Sequence, residues 1–205
     1  MIATVTSAVL SGIDAIPIEV QVQVAQGLPS FQIVGMPDTA VAESKERVRA
    51  AFKSTGLKVP AQRVTVNLAP AHVRKIGSGL DLPIALALMV AAGYIEQTLL
   101  DPFLVVGELS LSGTVRCSPG VVSISILAAL LDKSLLCGPL GEIARIIETE
   151  KTTIRSLESF MAEGPVTTQP EEESHVIALE REDDEYLDFE EVVNQESAIR
   201  ALSIA

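Results

Sequence analysis

The stretch VNLAPAHVRKIGSGLDLPIAL, residues 66–86, decides the fold. A β-like run stops at Ala69-Pro70, a basic cluster follows at His72, Arg74 and Lys75, and Gly77-Ser78-Gly79 turns the chain into an apolar helix. Strand, turn and buried helix in direct succession predict layered α/β structure. The glycines permit the turn, Asp81 stands where a helix cap belongs, and Pro83 falls in the first turn, where its missing amide is harmless. The functional alternative is an anion site built from His72, Arg74 and Lys75 with the amides of the helix start. Asp81 brings charge of the wrong sign to that place. The loop is not a Walker A motif, because Leu80-Asp81 follow the second glycine where Lys and Ser/Thr are required.

Upstream, residues 2–10 and 16–25 alternate and read as paired strands around Ser11-Gly12-Ile13-Asp14. In the second, Ile16, Ile18, Val20, Val22 and Val24 share one face and Glu19, Gln21 and Gln23 the other, as in a half-exposed antiparallel strand. FQIVG is a third strand. MPDTAVAESKERVRAAFKSTG then predicts a helix capped by Asp38 and stopped by Gly56, with Val41, Val48, Ala51 and Phe52 inward. Glu43, Lys45, Glu46, Arg47 and Arg49 are expected in water. The bases Lys45, Arg47, Arg49 and Lys53, with Lys58 just beyond, make this helix a candidate contact for DNA or a neighbouring subunit; the alternative is an exposed helix laced with i,i+4 pairs.

Downstream, residues 82–94 are apolar almost all round and predict a central, buried helix. FLVVGELSLSGTV reads as a strand, a break and a second short strand. Residues 120–131 predict a third helix, SLLCG a strand, and PLGEIARIIE a short fourth helix. The sum is an α/β protein of α+β layering, a mixed sheet covered by helices.

The net charge of −12 is concentrated. Residues 163–190 hold eleven acids against the single base Arg181, so the body over 1–162 is close to neutral. The expected organisation is a domain over 1–162, an acidic linker over 163–187, and a further segment at 188–205 whose Phe189, Val192, Val193, Ile199 and Leu202 suggest an amphipathic helix. No uncharged apolar run is long enough to span a membrane, and the N-terminus lacks a basic signal-peptide region. Cys117 and Cys137 show no CxxC spacing and there are two histidines, which argues against structural zinc and suits buried thiols in a reducing cytoplasm.

Three segments, GLPSFQIVGMPDTAVAESKERVRAAFKSTG, RVTVNLAPAHVRKIGSGLDLPIALAL and VVGELSLSGTV, resemble in order and spacing the N-terminal domain of Mg-chelatase-like ATPases of the ComM/YifB family. LDFEEVVNQESAIRALSIA resembles the family's lead-in to its AAA+ module, with Asn194 in place of the usual Gly, and the chain ends before a Walker A loop. The resemblance implies a fold like the Lon proteolytic domain and ribosomal protein S5 domain 2, work beside a hexameric ATPase, and DNA branch migration in natural transformation. It implies ATP and Mg only on the AAA+ module, truncated or absent here, and none on residues 1–162.

Lon-type peptidases use a Ser-Lys dyad. The resemblance puts Leu80 at the serine position and Val122 at the lysine position, both apolar. The reading is therefore a non-catalytic accessory domain serving subunit packing and DNA or partner contact through His72, Arg74, Lys75, Lys45, Arg47, Arg49 and Lys53. The alternative is a Lon-like serine peptidase that uses Ser78 with Lys75.

Overall fold

β1 (Ile2–Ser11) and β2 (Asp14–Ala25) pair antiparallel in a hairpin that sets Val5 opposite Val20 and closes at Gly12-Ile13. The computed structural model in which they stand describes residues 2–165. The expected acidic linker beyond 165 and the expected AAA+ lead-in at 188–205 lie outside the described residues.

β3 (Ser30–Val34) runs into α1 (Thr39–Ser54) and returns as β4 (Arg63–Ala69), parallel to β3 and antiparallel to β2. The predicted start and stop of α1 hold: Asp38 accepts the Val41 amide at 2.8 Å, and Gly56 follows the cap residue Thr55. α2 (Asp81–Ala91) follows the loop after β4 and is buried along its whole length, as its uniformly apolar sequence requires. β5 (Phe103–Val105), the short antiparallel pair β6 (Glu108–Leu109) and β7 (Val115–Arg116), α3 (Val121–Leu130) and β8 (Ser134–Cys137) come next. β9 (Lys151–Thr153) and α4 (Leu157–Glu163) end the described residues.

The main sheet is mixed and seven-stranded, in the order β3-β4-β2-β1-β5-β8-β9. Strand alternation sends neighbouring side chains to opposite faces. Val105 and Leu136 enter the core shared with α1 and α2, while Leu104 and Leu135 enter a second core with Val121, Ile124 and Ala128 of α3. Helices therefore cover both faces, as the expected layering of a mixed α/β sheet requires.

Two local expectations change. PLGEIARIIE forms only a 3-10 turn at Gly141–Arg145. Gly141 takes a positive φ of 57°, which breaks regular helical backbone at the start of the segment, and the chain then runs on to β9 beside β8. β9 and α4 go unannounced by periodicity because they are short. α4 is instead held by a capping box between Ser156 and Ser159.

Candidate functional site

The loop between β4 and α2 is organised by Lys75. Its backbone N–H donates to Met36 at 3.1 Å and its carbonyl accepts from Asp38 at 2.9 Å, a one-residue parallel bridge to Pro37. Alternation along this strip exposes His72, Arg74 and Ile76 and turns Val73 and Lys75 inward. The Lys75 side chain is wholly buried, and its Nζ donates to the Pro70 carbonyl. Burial pushes its pKa below the ordinary lysine value. Lys75 thus ties its own loop together and presents no charge to a partner, contrary to the expectation from sequence.

Asp81 is likewise corrected. It makes no capping bond; the cap residue of α2 is Leu80. Its buried carboxylate accepts from Ser44 Oγ at 2.5 Å, from Arg47 Nε at 2.6 Å and Nη2 at 2.9 Å, and from the Leu109 amide at 3.2 Å. Arg47, expected in water, lies against this carboxylate from α1, and the hydrogen bond to Asp81 raises its already high pKa. A guanidinium held this way joins α1, α2 and β6 and is not a free contact group.

The catalytic alternative does not assemble. Ser78 Oγ donates to Glu108 at 2.7 Å, while Lys75 Nζ is held by Pro70. A serine nucleophile needs its base within hydrogen-bond reach, and here each partner is engaged elsewhere. Leu80 is buried beside the loop. Gly79 admits Ser118, since a Cβ there would lie 2.5 Å from Ser118 Oγ. Burial raises both thiols, Cys137 to about 12 and Cys117 in the same direction, so neither is a ready nucleophile near neutrality. Among the described residues no His/Cys/Asp/Glu group could hold a metal ion, and no helix is long and apolar enough to cross a membrane.

The remaining predicted residues fall into two groups. Lys45, Arg49 and Lys53 stand four apart on α1, which places them on one helix face. Arg49 also lies 5.4 Å from the centroid of the Phe31 ring and 3.9 Å from Glu46. Arg49 and Lys53 reach an open groove bordered by Leu57, Lys58, Val59 and Pro60, where Tyr94 Oη bonds the Lys58 backbone. His72 and Arg74 lie at the other end of α1, beside its cap residue Asp38. At about 1.5 Å per residue the helix sets Asp38 about 10 Å from Lys45 and about 22 Å from Lys53. Sequence reasoning left Met36 and Ile76 out of the site, although both are exposed beside Arg74.

The family model described as subunit ChlI of Mg-chelatase matches residues 20–138, from β2 through β8. The chain is 45% identical over 112 residues to YifB of Escherichia coli, covering 55% of this chain and 22% of that protein. It is 33% identical over 213 residues to competence protein ComM of Haemophilus influenzae, covering 100% of this chain and 41% of that protein. It therefore spans less than half the length of either relative. The match takes in α1, the Lys75 loop, the Asp81 network and the β6–β7 pair, and on it the chain belongs to the Mg-chelatase ChlI-subunit family, together with YifB and ComM.

Proposed function

We propose that residues 1–162 form a non-catalytic accessory domain of a ComM-type protein, one that packs beside other subunits and contacts DNA during branch migration in natural transformation. The name of competence protein ComM links that relative to competence. The observation that carries the DNA contact is the basic row on α1: Lys45, Arg49 and Lys53 follow one helix face toward the groove that Lys58 borders. Among the described residues no carboxylate pairs with Lys53 or Lys58. Cations without a carboxylate partner, as at Lys53 and Lys58, suit a phosphate backbone, whose binding is driven by release of counterions. The non-catalytic part of the reading is supported by the separate engagement of Ser78 and Lys75. The proposal includes no nucleotide site on these residues.

Fluorescence anisotropy of the full chain with labelled branched DNA across a salt series tests the reading. Lys53→Ala with Lys58→Ala should weaken binding about tenfold and lower the salt slope by about two. Equal affinity and slope in the variant would remove α1 from the contact.

A further inference from the structure

At the far end of α1, Met36 has a side chain that packing does not explain. Its φ is +58°, a left-handed conformation that glycine or asparagine adopts more readily, and 55% of it is exposed. A long apolar side chain held in an unfavourable backbone conformation and left in water serves neither local structure nor the core.

Its surroundings hold it firmly. Gly35 is pressed against β4, where an added Cβ would lie 2.2 Å from the Leu68 carbonyl oxygen. Lys75 grips Met36 and Asp38 through both of its backbone groups. The bridge between Pro37 and Lys75 places Met36 opposite Arg74 and Asp38 opposite Ile76. Met36, Arg74 and Ile76 are all exposed around this bridge, whereas Lys75 is buried. Ile76 is 59% exposed, and Val34 and His72 are exposed beside them. Asp38, the acid on this strip, is occupied by the amides of Val41 and Gly77.

Resting on the DNA reading above, we propose that Met36, Ile76 and Arg74 form a rigid tip that engages DNA where its bases are unstacked. Met36 and Ile76 lie against the exposed base and Arg74, with His72, meets the adjoining phosphates. Methionine and isoleucine are among the side chains that wedge between base steps, and a base face accepts apolar contact whatever its identity. Three exposed apolar side chains, Val34, Met36 and Ile76, are too few for a stable protein interface of about 800 Å² per partner, and the exposed Arg74 beside them complements a polyanion.

The test compares the full chain on a fluorescein-labelled fork and on a blunt duplex of equal length. Met36→Gly with Ile76→Thr removes the wedge, and the glycine relaxes the backbone at position 36, so the fold should survive; thermal melting verifies this. The double variant should lose at least tenfold affinity for the fork and less than twofold for the duplex. Lys53→Ala with Lys58→Ala should weaken both alike. A 2-aminopurine at the fork should change fluorescence with the wild type and not with the wedge variant. Equal wild-type binding to fork and duplex, or an unweakened wedge variant, overturns the tip and leaves the α1 contact standing. No wild-type binding to either DNA overturns both readings. Altered self-association on sedimentation with unaltered DNA affinity assigns the tip to a protein partner and overturns the proposal.

Discussion

The guanidinium of Arg47 meets the carboxylate of Asp81 with Nε 2.6 Å from Oδ2, joining residues 34 positions apart. The two ends are unequally placed: the Asp81 side chain is fully buried and that of Arg47 is 19% exposed. Water can therefore receive the cation if its partner is lost, and cannot receive the anion.

That inequality predicts an ordered pair of mutants. Arg47→Met strands a buried carboxylate and should cost about 3–5 kcal/mol. Asp81→Asn keeps some hydrogen bonding and lets Arg47 swing outward, so it should cost about 1–3 kcal/mol. Urea unfolding of both proteins measures the difference; a reversed order would mean that Arg47, not Asp81, is the trapped charge.

Gly35 gives a second contrast. Its φ of +102° and the 2.2 Å approach of the Leu68 carbonyl oxygen leave no space for a Cβ, whereas Gly12, at φ +64°, has nothing within 4 Å. Gly35→Ala should cost about 3 kcal/mol and Gly12→Ala about 1 kcal/mol. Melting temperatures should separate by several degrees, and similar values would show that the approach at Gly35 relaxes freely.

Lys75 carries a dependence on pH. Burial lowers its pKa from the ordinary 10.5, so folding disfavours the charged form. The cost is full below the folded pKa and fades as pH climbs from that value to 10.5. The stability of wild type relative to Lys75→Met should therefore rise through the alkaline range. Urea unfolding at about pH 7, 8.5 and 10 follows it, and titrations common to both proteins cancel. A difference that falls as pH rises would mean that the fold favours the ammonium.

Local chemistry was legible in the residues and distant chemistry was not. The Asp38 cap, the inward face of α1 and the buried α2 could all be read, because each depends on neighbours within a turn or two. Asp81 could not be placed the same way. An acid in the first helical turn looks the same whether it caps its own helix or receives a guanidinium from another. Lys75 was misread because a base in a loop is ordinarily solvated; what buries it is a bridge of a single pair, to Pro37. The alternation of His72, Arg74 and Ile76 against Val73 and Lys75 was present in the sequence, but it is too short to stand out.

The strand order also sets a timetable. β3, β4, β2 and β1 come from residues 2–69, whereas β5, β8 and β9 come from residues 103–153. On a growing chain the early half can pair by itself, and it must wait with one side of β1 open until Leu104 arrives beside Thr6. An unpaired strand edge is a template for neighbouring chains. Synthesis between these two points is therefore an interval in which the described residues offer an open strand edge to neighbouring chains, and in which a chaperone would have something to protect.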